Sequence, residues 1–373
     1  MATVLQVIPA LNAGGAERTT IEMAEALSAN GWRALVVSEG GELEGALAAA
    51  GGVLVPMPVR SKNPAVLWAN SRRIRRLIDE EGVDIVHARS RAPAWSALWA
   101  ARAAGAPFIT TYHGAYSGRS KLKRWYNGVM ARGDVVIANS SYMRDRIIER
   151  HDADPNRIRV IPRGVDLDKF DPDIVTPARI AAAREAFGVA PGDDRPIILL
   201  PARLTFWKGH EVALRALAEL DVDAHLVFAG DGDGGDAILE IAAELGLGPR
   251  VLFPGYVADM PAAYAAADLA LAPSTLPEAF GRTAAEAQAM GVPVIAAAHG
   301  GALEVVADGV TGWLVPPGDA DKLSAAIGRA LALSPEQKAA MGAAGRTRIA
   351  SLYTARALQD ATMRVYQEVL GLR

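Results

Sequence analysis

The chain has 373 residues, 51% apolar and 22% charged, and contains no cysteine. That is enough chain for two domains of ordinary size, and too apolar for disorder. It excludes disulfides and thiolate metal sites, and no apolar run reaches the ~18 residues of a spanning helix. The net charge of −3 hides an asymmetry: residues 1–170 carry 23 Lys and Arg against 17 Asp and Glu, the remainder 16 against 25. A basic first half points to an anionic partner there. Residues 3–9 lack a basic lead and a small-residue cleavage site, so they read as a first strand and not as a signal peptide. Together with the lack of cysteine this fits a cytoplasmic protein.

In the first half, apolar runs predict strands at 3–9, 33–38, 53–56, 84–87, 107–111, 134–138 and 158–161. Helical patterns lie between them, as at 16–29, 64–81, 92–104 and 140–150. This alternation means βαβ units and a parallel sheet. The first turn, Asn12-Ala13-Gly14-Gly15-Ala16-Glu17-Arg18, is not a dinucleotide fingerprint. Its glycines let backbone approach a ligand, or simply make a tight turn before a helix. Thr110-Thr111-Tyr112-His113-Gly114 puts His113 at a strand end, although a lone histidine is more often structural. Arg119, Lys121, Lys123 and Arg124 stand beside Trp125 and Tyr126, and Arg72, Arg73, Arg75 and Arg76 crowd overlapping faces of one helix. Such clusters suit an anionic membrane surface at ~1 kcal/mol per cation, or are ordinary solvated faces. They are too short, and lack any recognisable module, for nucleic acid.

In the second half, residues 171–196 hold four prolines and an Ala/Arg-rich helix and read as a linker. A strand at 197–200 then runs into Arg203 and Lys208, two cations able to neutralise a diphosphate. Gly230-Asp231-Gly232-Asp233-Gly234-Gly235 matches Gly-x-Gly-x-x-Gly. Two aspartates inside it would repel a pyrophosphate, and the following strand, 250–253, lacks an acidic ribose ligand at its end. Gly255 and Tyr256 end that following strand. Asp-x-Asp pairs at 166–168, 171–173, 221–223 and 231–233 sit in predicted turns, where Asp serves the backbone, so no metal site is assigned. Between strands at 268–273 and 292–297 lies Ser274-Thr275-Leu276-Pro277-Glu278-Ala279-Phe280-Gly281-Arg282-Thr283-Ala284-Ala285-Glu286. It is a strand-to-helix turn, with a helix running to about Met290. Its free N–H groups suit an anion, and Glu278 and Glu286 can accept from sugar hydroxyls. Each glutamate alone also reads as a favourable helix-dipole contact or a surface residue.

Glu-x7-Glu enclosing Phe-Gly resembles the signature of family 4 of the retaining glycosyltransferases. Gly-Gly-x-Glu near Gly15, Arg-Leu…Lys-Gly at Arg203 and Lys208, Gly-Asp-Gly at 230–232, and Thr311-Gly312-Trp313 follow in the family's order. The resemblance covers nearly the whole chain. One departure is Arg163, where the family has Asn. The resemblance implies an α/β GT-B fold: two doubly wound Rossmann-like domains facing a cleft, 1–170 on the acceptor side and 171–351 on the nucleotide-sugar side, with 352–373 packing back on the first.

It also implies roles. Arg203, Lys208 and the N–H groups of Phe280, Gly281, Arg282 and Thr283 would bind the donor diphosphate, which the Gly15 turn would also meet. Glu286 would take the ribose, Gly255 and Tyr256 the base side, and Glu278 and His113 the transferred sugar. No metal or other cofactor is implied. The donor would be a nucleotide-diphosphate sugar, GDP-mannose in preference to a UDP-sugar. The run from Thr110 to Asn139 resembles bacterial enzymes that add mannose to the lipopolysaccharide core. A lipopolysaccharide-core or other lipid-linked acceptor would suit the basic first half, with Arg119, Lys121, Lys123 and Arg124 toward acceptor or membrane. An epimerase of the same fold and a non-catalytic nucleotide-sugar binder remain as other readings.

Overall fold

A computed structural model describes residues 1–12, 14–114 and 120–372. The chain divides into two compact units, Met1–Pro162 with Ala355–Arg373, and Arg163–Thr354. In the first, β1 (Thr3–Val7), β2 (Arg33–Ser38), β3 (Gly52–Pro56), β4 (Ile85–Ala88), β5 (Phe108–Tyr112), β6 (Val135–Ala138) and β7 (Ile158–Val160) form one sheet. Its order is β3-β2-β1-β4-β5-β6-β7 and every pair is parallel. The connections carry α1 (Gly15–Ala29), α2 (Glu44–Ala49), α3 (Pro64–Glu81), α4 (Arg91–Ala104), α5 (Lys121–Asn127) and α6 (Ser141–His151). Four of these helices and all seven strands match the sequence expectation to within about two residues at each end. The short α2 and α5 were not anticipated, because six or seven residues hold too few turns to show a period. Local chemistry sets the ends. Asn63 accepts from the Ala65 N–H at 2.9 Å, Pro64 opens α3, and Gly82 ends it with φ of 60°.

The second unit repeats the architecture. Its helices are α7 (Pro177–Phe187), α8 (His210–Ala218), α9 (Gly235–Glu244), α10 (Met260–Ala265), α11 (Arg282–Ala289), α12 (Ala302–Val305), α13 (Ala320–Leu331) and α14 (Pro335–Leu352). Its strands are β8 (Ile197–Pro201), β9 (His225–Ala229), β10 (Val251–Gly255), β11 (Leu269–Ala272), β12 (Val294–Ala297) and β13 (Gly312–Val315). They run parallel in the order β10-β9-β8-β11-β12-β13. β8 shows why such a strand is apolar throughout. Ile197 and Leu199 enter one buried layer, while Ile198 and Leu200 enter the layer on the opposite face.

The stretch read as a linker is part of this body. Val165, Phe170, Val175, Ala183, Phe187 and Val189 are buried in the layer that holds Ile197. The units therefore part at 162/163, whereas the sequence suggested 170/171. Prolines and charges at 171–196 hide apolar positions that dock one by one.

The last helix, α15 (Ala355–Val369), belongs to the first unit. Leu358, Met363, Val365 and Tyr366 join Val4, Ile8, Met23 and Leu27 in its core. Tyr366 Oη lies 2.7 Å from His87 Nδ1, and His87 Nε2 lies 2.7 Å from Thr111 Oγ1. Burial, then the Arg89 guanidinium and His113, hold His87 well below its usual 6.5, and burial pushes Tyr366 up to about 12. Both are neutral at pH 7. Tyr366→Phe strands His87 Nδ1 and is expected to cost about 1–3 kcal/mol, read as a lower urea midpoint. Because the folded state disfavours His87 protonation, its contribution is complete above the unfolded value near 6.5 and is lost as pH falls below it.

Candidate functional site

Strand order reverses between β8 and β11, and open α/β sheets bind ligands beyond the C-terminal strand ends at such a point. Arg203 and Lys208 follow β8, and Ser274 through Glu278 follow β11. The two loops are tied together. The Thr275 N–H donates to the Trp207 carbonyl at 2.8 Å, and a side chain at Gly209 would meet the Pro273 carbonyl oxygen at 2.1 Å. The tie brings Lys208 to Glu278.

Glu278 is held on one oxygen. Lys208 Nζ donates to Oε1 at 2.9 Å, and Ser274 Oγ donates to the same atom. The pair is largely buried, with side chains 14% and 20% exposed. Neither donor uses Oε2, which keeps its capacity to accept from a ligand hydroxyl. Ser274 is buried and fixed in turn: its carbonyl lies 2.7 Å from His299 Nε2, so that nitrogen carries the proton. The loop after β12 closes against the same turn. A Cβ at Gly300 would sit 2.4 Å from the Glu278 carbonyl oxygen, and one at Gly301 2.4 Å from Phe280 Cα. Glycine is required there because backbone packs on backbone.

Gly281, with φ of 94°, turns the chain into α11. Phe280 is buried edge-on to Tyr353, so from this residue the peptide group is what a ligand could meet. Thr283 Oγ1 donates to the Pro201 carbonyl at 3.1 Å, which seats the helix start on β8. Glu286 accepts from Arg282 Nε at 2.7 Å, and the Tyr264 hydroxyl stands 3.3 Å from its other oxygen. Burial, then the Glu286 charge, push Tyr264 well above the usual phenol range, so it stays a donor. In this state the acids expected to meet sugar and ribose are thus each countered by a neighbouring cation. Arg203 is exposed on the loop that follows β8.

Gly255, with φ of 72°, ends the edge strand β10, and Tyr256 is 66% exposed beyond it. The Gly-x-Gly-x-x-Gly loop folds back on the chain after β8. The Leu204 N–H donates to the Asp231 carbonyl and the Gly234 N–H to the Leu204 carbonyl, both at 3.0 Å. Its glycines therefore serve close packing. The Asp pairs serve turns and ion pairs. Asp166 accepts from the N–H groups of Asp168 and Lys169, and Asp171 from Arg346 at 3.2 Å. Among the described residues, no three His, Asp or Glu side chains could together hold a metal ion.

The first sheet also reverses order, between β1 and β4. Gly15 opens α1 just after β1; Ala13 of that turn lies outside the described residues. His113 follows β5, and its carbonyl accepts from Asn139 Nδ2 at 3.5 Å. The two share the C-terminal edge of the sheet, on strands separated by β4. Lys121, Lys123 and Arg124 are exposed on α5, whereas Arg119 lies outside the described residues.

Sequence reasoning missed four residues. Ser274, His299 and Tyr264 orient the two glutamates. Arg89, after β4 and 2% exposed, donates from Nε to Gln6 Oε1 at 2.7 Å. Arginine is rarely buried without a partner. A cation ending an apolar strand, in phase with Gln6 on a second buried strand, was the available signal.

Comparison with known proteins agrees with this geometry. The family model described as Glycosyltransferase Family 4 matches residues 13–169, and that described as Glycosyl transferases group 1 matches residues 183–348. Over 289 residues the chain is 35% identical to a GDP-mannose-dependent alpha-(1-6)-phosphatidylinositol monomannoside mannosyltransferase of Mycolicibacterium smegmatis, covering 74% of each protein. A glycosyltransferase from Rickettsia africae superposes with a TM-score of 0.90 at 36% identity, over 99% of this chain and 98% of that one. Anabaena HepE in complex with UDP superposes with a TM-score of 0.86 at 25% identity, over 99% of this chain and 100% of that one. The chain belongs to the family-4 glycosyltransferases of GT-B fold, and is a transferase enzyme.

Proposed function

We propose that this enzyme is a retaining, metal-independent hexosyltransferase that moves mannose from GDP-mannose to a lipid-linked glycan such as a lipopolysaccharide core. The observation that carries the proposal is the Lys208–Glu278–Ser274 constellation beside Glu286 and the start of α11, at one switch point. The choice of mannose is supported by the GDP-mannose-dependent relative, whose acceptor is itself lipid-linked. The superposition on HepE in complex with UDP favours a second reading, a UDP-sugar donor.

Arg203, Lys208 and the N–H groups from Phe280 to Thr283 hold the diphosphate and stabilise the charge that develops as the glycosidic bond breaks. Glu286 exchanges Arg282 for the ribose hydroxyls, and Gly255 and Tyr256 flank the base. Glu278 accepts from a sugar hydroxyl on Oε2 and orients the ring. His113 and the Gly15 turn act on the sugar and the phosphates. The acceptor hydroxyl attacks the anomeric carbon from the face the diphosphate leaves, and a phosphate oxygen takes its proton, so configuration is retained. Cations that already surround the leaving group do the work a metal would do elsewhere. Lys121, Lys123 and Arg124 give the first unit a cationic side, for the acceptor or an anionic membrane surface from the cytoplasm. Among the described residues no helix is long and apolar enough to cross a membrane.

The test is a thermal-shift screen with GDP, UDP, ADP and their sugar conjugates, with and without a chelator. GDP and GDP-mannose are expected to raise the midpoint, unaffected by the chelator. A shift with UDP conjugates alone moves the donor to the second reading, and no shift at millimolar ligand overturns the site.

A further inference from the structure

On the first sheet, the face covered by α1 and α15 is apolar at Val4, Ile8, Ile85 and Ile109. Gln6, His87 and Thr111 fall in step with these residues along β1, β4 and β5, because side chains alternate between faces. All three are buried, as are Arg89 just beyond β4 and Tyr366 on α15. They form one chain. Gln6 Nε2 donates to the Thr20 carbonyl of α1 at 3.0 Å, Gln6 Oε1 accepts from Arg89 Nε, and Tyr366, His87 and Thr111 are joined by two contacts of 2.7 Å. The guanidinium also faces the Tyr366 hydroxyl, and the Glu22 carboxylate of α1 supplies the opposing charge.

Stability alone does not account for Arg89. Its Nη2 is buried without a hydrogen-bond partner among the described residues. A cation taken out of water with a donor unmatched costs free energy. What the cation does is give the chain a direction. A guanidinium only donates, and Tyr366, pushed up to about 12, keeps its proton. The lone pairs of Tyr366 Oη therefore turn to Arg89 and its proton to His87 Nδ1. His87 then carries its own proton on Nε2 and donates to Thr111 Oγ1. His113 stands two residues beyond Thr111, near enough for its charge to be felt at His87.

We propose that Arg89 and Tyr366 are positioning residues for the transfer reaction: they fix the His87 tautomer and, through Thr111, the end of β5 that presents His113. The inference rests on the reading of His113 as the residue that meets the transferred sugar. It also has a pH signature. The groups around His87 are Gln6, Glu22, Arg89, Thr111, His113 and Tyr366, and after burial the Arg89 charge is the strongest influence holding it neutral. Without that cation His87 takes a proton at higher pH. Nδ1 then becomes a donor facing the Tyr366 proton, and the chain breaks.

The test uses the full chain and follows release of GDP from GDP-mannose with water as acceptor, or of UDP from UDP-glucose if only UDP conjugates raise the thermal midpoint. Rates are compared well below each variant's unfolding midpoint, so that lost stability is not read as lost turnover. Tyr366→Phe keeps the ring and its packing, and Arg89→Lys keeps the charge. Tyr366→Phe and Arg89→Met are expected to lower kcat at least tenfold with the donor KM within about twofold. In Arg89→Met the acid limb of kcat/KM should move up by about one pH unit, and in Arg89→Lys it should stay near that of the wild type. Because both residues act through His113, Tyr366→Phe should change the rate of His113→Ala by less than about twofold. Wild-type kcat in Tyr366→Phe, or losses that multiply in Tyr366→Phe/His113→Ala, overturn the inference alone. Full activity of His113→Ala overturns the reading of His113, and the inference with it.

Discussion

Replacing Glu278 by Gln is expected to lower turnover by about 10²–10³-fold while leaving the affinity for free nucleoside diphosphate unchanged or tighter. Gln keeps the shape of the side chain, and its Oε1 can still accept from Ser274 and Lys208. What it loses is the negative charge. The transferred sugar then loses the acceptor that orients it, so the anomeric carbon is presented badly to the attacking hydroxyl. The diphosphate experiences the opposite effect. In the wild type Lys208 is countered by Glu278 at 2.9 Å, an attraction of about 1–4 kcal/mol at the effective dielectric of such a site. Freed of that partner, Lys208 offers its whole charge to the phosphates. Single-turnover kinetics and calorimetry on the same variant separate the two effects. Full activity would sink the role given to Glu278, and a large loss of nucleotide affinity would mean that the carboxylate serves the fold of the loop.

The fold was legible because parallel strands buried on both faces are apolar along their whole length. Ile197 to Leu200 and Val294 to Ala297 could hardly read otherwise, and the helices between them carry caps such as Asn63-Pro64. The sequence also showed which strand ends bear charge. It did not show that Lys208 and Glu278 touch, because that contact depends on β8 and β11 being neighbours, a fact of topology across 70 residues. Nor could it show Ser274 as a donor to Glu278. A serine at a strand end has many bland uses, and its hydroxyl gains meaning from where the carboxylate folds. His299 and Tyr264 were hidden for the same reason. The unit boundary failed differently. Residues 163–196 are rich in proline and charge, yet Phe170, Val175 and Phe187 are buried, and docked irregular chain has no period to read.

Lys208→Met should be the more damaging change, because it acts on both stability and chemistry. With Lys208 gone, Glu278 keeps its charge in a place only 20% exposed, with Ser274 as its remaining donor. The full penalty for breaking a buried pair, about 3–5 kcal/mol, is reduced here by residual solvent, and a loss of about 1–2 kcal/mol is expected. The catalytic loss is larger: removing one charge-stabilising donor costs about 10²–10³-fold in kcat/KM. The two effects part in Lys208→Met/Glu278→Gln, which has no stranded charge. Its stability should recover most of what Lys208→Met loses, whereas its activity should stay at or below that of the worse single variant. Denaturant unfolding of the four proteins gives the coupling energy of the pair directly. A double variant as unstable as the sum of the singles would show that Lys208 and Glu278 do not interact in solution. That result would also remove the reason to expect tighter nucleotide binding in Glu278→Gln, so one thermodynamic cycle tests the ground on which the kinetic prediction stands.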